Sequence, residues 1–506
     1  MLRQIHHILA FVCAVHAAAA REINFEALFG PHVSDDTEIA SAGSDNFSSV
    51  LSHHWTLWKA PKFQGAIKPA TEADVQKIVK LATKNNISFL ATNNGHGTNT
   101  KYGITPVDLN INLRNLNSVA VDGKKNTVTI GGGTVLGEVT EKIYAAGKEL
   151  PTGNAVCVGM VGLTIGGGVG VQTGTHGLTL DALLSVRLVT WTGDVITVSK
   201  KRNADLFWAI KGAGANFGII TEATYELYDH TNHGQVLYNR YTFPASANRS
   251  IFELMATYDG DNLPAPMSYI PQIRFNRETN LPEILLLIVY FGSKEQAQPH
   301  IDKVLALKPV AATLNYGPQP PMFEFLSVGL CSTDYRNHFH VGTKRTDPAT
   351  YEEIFGDMVE FYKAHPGYNG VVILQRESTR YALSRPVHES VYPWRDIGTF
   401  ALMLNRWDPT TVSDADLESI ADTVMGKIQK TSGFKTRHVY INYDYGTETL
   451  AEIYGAKNLN RLSKLKGEWD PHNKFGRGNP IPLLGKVKAS SYGRFVENGR
   501  ADDLRK

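Results

Sequence analysis

The sequence predicts an α+β protein in two unlike parts. Up to about residue 230, short helical and strand patterns alternate around glycine-rich turns; beyond it, alternating apolar runs and amphipathic helices describe an antiparallel sheet covered by helices. A third feature binds the first part together, because Gly153, Gly159, Gly162, Gly166, Gly167, Gly168 and Gly170 crowd into the stretch 153–181. Glycine weakens both helix and strand, so neither is expected there. A backbone bare of Cβ atoms is open to close approach by a phosphate or a flat ring, which makes a nucleotide cofactor the first expectation.

In chain order, Arg3, the apolar run 8–15 and the small residues Ala17 to Ala20 make residues 1–20 a signal peptide, too short to span a bilayer. Entry to the secretory route is expected, and Asn46, Asn86 and Asn248 stand in glycosylation sequons. Loss of Cys13 with the signal leaves Cys157 and Cys331, enough for at most one disulfide; either thiol can equally stay free and buried. The remaining composition is that of a globular protein with real cores, 42% hydrophobic and 20% charged over 506 residues. A net charge of +2 leaves no basic surplus for nucleic acid, so a small molecule is the expected partner.

Thr71 caps a helix with Val75, Ile78, Val79 and Ala82 at helical spacing, followed by a strand at 87–91. That strand runs into Asn93-Asn94-Gly95-His96-Gly97-Thr98, a histidine between glycines. Strands at 107–113 and 128–131 precede a helix at 136–146, stopped by Gly147. A hairpin is expected at 182–190 and 195–198, then a helix capped by Asn203 and ending at Gly212, then a strand at 219–228. In the second part, strands are expected at 269–275, 283–290, 371–376, 400–407 and 438–443, with helices at 349–364 and 415–430. No internal repeat is evident.

Common cofactor motifs fail. Gly168-Val-Gly170 lacks the third glycine and the following amphipathic helix of a dinucleotide fingerprint, and no Walker sequence exists. Cys331, His338 and His340 match no closed zinc spacing, and no G-x-S-x-G elbow is present, so neither a metal centre nor a serine hydrolase is expected.

Four ordered segments carry a resemblance instead: Asn94-Gly95-His96, VGMVGLTIGGGVG, HGLTLD and DLFWAIKGAGANFGIIT. Together they resemble the vanillyl-alcohol-oxidase-type flavoproteins, with a PCMH-type FAD-binding domain, and within them the berberine-bridge-enzyme-like FAD-linked oxidoreductases. The resemblance implies a split FAD domain with an inserted substrate domain: a lead-in at 21–60, the FAD part at 61–230, the substrate part at 231–445 and a closing segment at 446–506. It implies that His96 carries the flavin covalently and that Asn94, Gly95, Gly97, Thr98, Gly153, Val158, Gly159, Gly162, Gly168, Ile220 and Asn442 contact the cofactor. Asn94 stands where the family usually has glycine. Where some relatives add a cysteinyl linkage this chain has Ala155, with Cys157 displaced by two residues, so one bond to FAD is expected.

Near the C-terminus, Tyr440-Ile-Asn442-Tyr443 resembles the family's active-site strand, and 462–475 its closing segment. By position Tyr443 is the candidate base, with Tyr440 second; strand alternation would put them on opposite faces. A phenol near neutral pH needs help to ionise, for which Arg395, Arg376 and His388 are candidates. Met160 resembles a gate over the flavin face. The expected activity is oxidation of an alcohol, amine or secondary-metabolite intermediate by hydride transfer to FAD, with oxygen as acceptor. A redox-neutral or oxidation-coupled cyclisation, or a dehydrogenase with another acceptor, stays open.

Overall fold

The computed structural model describes residues 23–104 and 106–484; the expected signal segment and residues 485–506 lie outside the described residues. The first long helix, Glu72–Lys84, starts at a reciprocal cap, Thr71 Oγ1 accepting from the Asp74 N–H at 3.2 Å while the Asp74 carboxylate accepts from the Thr71 N–H at 3.1 Å. Its buried stripe, Val75, Ile78, Val79 and Ala82, covers a four-stranded sheet in the order Glu38–Ser41, Gly65–Lys68, Leu109–Asn112, Phe89–Thr92. A second, antiparallel sheet of five strands follows, ordered Val119–Asp122, Thr127–Gly131, Ile219–Glu226, Leu183–Val189, Val195–Ser199. Helices Leu136–Ala145, Met160–Gly166 and Ala204–Ala213 share its core.

Two local expectations are corrected here. The glycine stretch does hold a helix, Met160–Gly166, because Met160, Val161 and Thr164 are buried and Thr164 Oγ1 bonds the Tyr225 hydroxyl at 2.9 Å; tertiary packing outweighs glycine's poor propensity. Asn203 does not cap Ala204–Ala213 with its side chain; it sits at φ +55°, and its Nδ2 donates to the Thr197 carbonyl at 2.9 Å.

The second part is an eight-stranded antiparallel sheet. Strands Met267–Asn276, Leu281–Tyr290, Val371–Glu377 and Thr399–Arg406 stand where strands were expected, as do helices Pro348–Ala364 and Asp414–Thr431. Strands Gln235–Pro244 and Arg336–Thr343 were not foreseen. Alternation sorts the two faces. Tyr269, Ile273, Leu286, Val372, Leu374 and Met403 join the residues Ile354, Met358 and Val424 of the two covering helices in one core, and the other face looks toward the glycine-rich part. The expected strand 438–443 is absent: Ile441–Tyr443 is a 3-10 turn closed by the Tyr443 N–H on the Tyr440 carbonyl at 2.8 Å.

Two ties join segments distant in sequence. Cys157 and Cys331 form a disulfide across 174 residues. Lys466, on helix Leu459–Trp469, is fully buried, and its ammonium donates to Asp470 at 2.6 Å, to the Asn216 carbonyl at 2.8 Å and to the Phe475 carbonyl at 2.9 Å. All three of its protons are satisfied, which makes the buried charge tolerable.

Candidate active site

A cavity of about 440 Å³ lies between the glycine-rich loops and the inner face of the eight-stranded sheet. Of the residues singled out from sequence, Asn94, Gly95, His96, Gly97, Gly153, Val158, Gly159, Gly162, Asn442 and Tyr443 line it. Thr98, Gly168, Ile220 and Tyr440 do not. Thr98 lies behind the wall, its Oγ1 2.9 Å from His338 Nδ1. Gly168 packs against Thr179, and Ile220 belongs to the core of the five-stranded sheet. Met160, expected as a gate, is instead wholly buried in that same core and does not reach the cavity.

The His96 turn is built by its neighbours. Gly95 adopts φ +55° and lies so close to the loop before it that a Cβ would fall 2.1 Å from the His53 carbonyl oxygen, so glycine is required. The Asn94 side chain spans to the glycine-rich loop, Nδ2 donating to the Cys157 carbonyl at 2.7 Å. Asn93 Nδ2 donates to the carbonyls of Gly132 and Thr134 at 3.1 and 2.9 Å. Trp55 stacks on the His96 ring at 5.3 Å, and its backbone N–H donates to the Gly95 carbonyl at 3.1 Å. Burial, with His53, Arg336 and His338 adding to it, lowers the His96 imidazole to about 3. The ring is therefore neutral, with a lone pair free, and its Nε2 is buried without a partner among the described residues.

The two tyrosines separate by role. The Tyr440 hydroxyl accepts from the Gly168 and Val169 N–H groups at 3.0 and 3.1 Å and from Asn442 Nδ2 at 2.7 Å, so it anchors the loop from behind. Asn442 Nδ2 also reaches the Leu163 carbonyl at 2.9 Å, an approach close enough that a Cβ on Gly166 would fall 2.0 Å from Asn442 Oδ1. Tyr443 faces the cavity, and its hydroxyl makes no hydrogen bond among the described residues. Its ring lies near those of His338 at 5.7 Å and His340 at 5.6 Å. Burial, then Tyr440 and Glu377, raise its phenol above the ordinary value, so it is protonated at neutral pH. The cations expected to assist it are engaged elsewhere: Arg395 pairs with Asp181 at 2.8 Å, Arg376 with Asp259 at 2.9 Å, and His388 is exposed.

Sequence reading missed Trp55, His338, Gln272 and Gln375, all of which line the cavity. Only alternation along the unforeseen strand Arg336–Thr343 could have placed His338. The residues present suit FAD on two counts. A Cβ on Gly162 would meet nothing within 4 Å, so the space beyond it is open to a ligand, and the neutral imidazole of His96 stands unpaired beside that space. Nothing in the Asn94 to Thr98 turn or the 153–168 loop carries a charge that would repel a phosphate.

Two stretches match family models: residues 63–199 one described as FAD binding domain, and residues 439–482 one described as berberine and berberine like. FAD-linked oxidoreductase afoF of Emericella nidulans is 41% identical over 480 residues, 94% of this chain and 99% of the relative. FAD-linked oxidoreductase tazL of Aspergillus terreus is 40% identical over 488 residues, with the same coverage. Among solved structures, glucooligosaccharide oxidase of Acremonium strictum, described with a 6-S-cysteinyl, 8α-N1-histidyl FAD, superposes with TM-score 0.79 at 20% identity, covering 91% of this chain and 99% of that one. The fold is shared, a mixed helix and antiparallel-sheet FAD-oxidase fold.

Proposed function

The chain belongs to the berberine-like FAD-linked oxidoreductases, and on that footing we propose that it is a secreted oxidase of a small organic molecule, an alcohol, an amine or a secondary-metabolite intermediate. The carrying observation is that His96 and the unengaged Tyr443 hydroxyl line one and the same cavity. His96 would hold FAD covalently, with the 153–162 loop and Asn442 around the cofactor. When bound, FAD would supply the two-electron acceptor, taking a hydride from the substrate and passing the electrons to oxygen. Tyr443, in its ionised form, would meet the substrate's hydroxyl or amine and accept the proton that leaves with the hydride.

A single linkage is favoured because Ala155 has no sulfur and Cys157 is spent in its disulfide. The disulfide also favours an oxidising compartment. Acid-precipitated protein should stay yellow, one flavinylated peptide containing His96 should appear by mass spectrometry, and His96→Ala should release FAD to the supernatant. Free flavin from the unmodified protein would overturn the linkage, and a flavin that no small molecule reduces would overturn the activity.

A further inference from the structure

We propose that the substrate is an uncharged, mostly apolar molecule carrying one alcohol or phenol group, seated on the inner face of the eight-stranded sheet with that group hydrogen-bonded to the Gln272 amide. This deepens the oxidase reading and rests on it. The register builds the seat: Ile270 lies opposite Leu287, Gln272 opposite Ile373, and Ile373 opposite Leu402. Since side chains alternate along each strand, these residues share one face, and all of them line the cavity. The glycine-rich wall is allotted to the cofactor, which leaves this aliphatic wall for the substrate.

No formal charge stands on the seat. His338 is neutral, its imidazole lowered to about 4 by burial. Glu377, farther along its strand, is pushed up to about 8 by burial and accepts from Ser268 at 2.6 Å and Gln375 at 2.9 Å. An ionic substrate would be desolvated on this wall without a partner, since Asp444, the acidic residue of the cavity lining, is not among the residues of this wall and is held by the amides of Asn99 and Asn479. Gln375 is committed as well, since its Oε1 accepts from Asn154 at 3.3 Å while its Nε2 serves Glu377. Gln272 is different: its amide makes no hydrogen bond among the described residues, so it alone on this wall offers an unengaged donor and acceptor. A sugar would bring many hydroxyls to a wall with one free amide, and each unmatched hydroxyl would be desolvated without a partner.

The test is calorimetric titration of the flavin-loaded protein with 4-isopropylbenzyl alcohol, its hydrocarbon 4-isopropyltoluene, and cellobiose. The alcohol should bind at least tenfold more tightly than cellobiose. Gln272→Leu, checked for unchanged flavin content and melting temperature, should weaken the alcohol about tenfold and leave the hydrocarbon unchanged. Cellobiose binding as tightly as the alcohol overturns the substrate class, and unchanged alcohol binding by Gln272→Leu overturns the role of that amide. Should Gln272→Leu fail to load flavin, Gln272→Glu serves in its place: its alcohol affinity should fall as the added carboxyl ionises with rising pH, and a pH-independent affinity equal to wild type overturns the amide's role. Flavin reduction, followed separately, keeps the two readings apart. Reduction by cellobiose preserves the oxidase and sinks this inference, whereas tight alcohol binding with no small molecule reducing the flavin does the reverse.

Discussion

Tyr443 illustrates how a single hydroxyl is selected at this site. Two tyrosines lie within three residues, their rings 4.9 Å apart, yet Tyr440 spends its oxygen on two backbone N–H groups and an amide while Tyr443 spends none. Tyr443→Phe should therefore keep flavin and fold but slow substrate-driven flavin reduction about 100-fold. Tyr440→Phe should instead lower the melting temperature, because it leaves the Gly168 and Val169 N–H groups buried and unpaired. The pH dependence follows from the raised phenol. If the ionised form accepts the proton, its population is small at neutral pH and grows tenfold per unit below the phenol's pKa, so the reduction rate should climb through pH 7–10 without a plateau. A flat profile in stopped-flow reduction would mean that the neutral phenol only orients the substrate. At this scale the sequence placed Tyr443 and His96 in the cavity through motif position alone. It ranked Tyr443 before Tyr440 by position, but it could not find Gln272 or show which of the two hydroxyls is engaged, because that depends on backbone groups some 270 residues away.

Elements were legible where periodicity was strong and obscure where polarity broke it. The Leu281–Tyr290 strand announces itself through seven successive apolar residues, whereas Arg336–Thr343, buried throughout, reads RNHFHVGT and offers arginine and two histidines, at alternate positions, to the inner face. Its two histidines, whose spacing matches no closed zinc pattern, are neutral in the fold and lie beside Tyr443, His338 in the cavity wall. The strand before the Tyr443 turn was misread because alternation over six residues does not distinguish a strand from an extended segment with no partner. A short element can nevertheless be pinned from outside. The loop 153–159, which lines the cavity, is tied by Cys157 to Cys331, next to Leu330 on the facing part of the wall. The Cys157→Ser, Cys331→Ser pair of changes should lower stability by about 2–4 kcal/mol. It should also raise KM for substrate several-fold while kcat changes less than twofold, since a loosened wall costs preorganisation before it costs chemistry. Unchanged melting and KM would show the tie to be redundant.

At the scale of the whole molecule, the cavity exists only because segments distant in sequence close on it. The two-part α+β plan was readable from the change of pattern near residue 230, and the closing segment from its resemblance, but the clasp that seats that segment was not, since a lysine in an amphipathic helix looks like any solvated charge. Lys466 joins helix Leu459–Trp469 to the turn at Asn216 and to Phe475, and the residues that follow, Gly476, Gly478 and Asn479, line the cavity together with Asn216. The clasp is worth most when whole. Lys466→Met removes the cation and strands the Asp470 carboxylate in the interior, an error that costs about 3–5 kcal/mol when one partner of a buried pair is lost. The variant should melt well below wild type and retain less flavin after gel filtration. Adding Asp470→Asn removes the orphaned charge and keeps an oxygen for one of the two N–H groups the carboxylate serves, that of Lys474 on one oxygen and that of Phe475 on the other, so part of the stability should return. Recovery of melting temperature without recovery of flavin would separate the two duties, assigning the charge to folding and the ammonium's bonds to Asn216 and Phe475 to the shape of the cofactor wall. A single variant that melts like wild type with full flavin would remove the clasp from both.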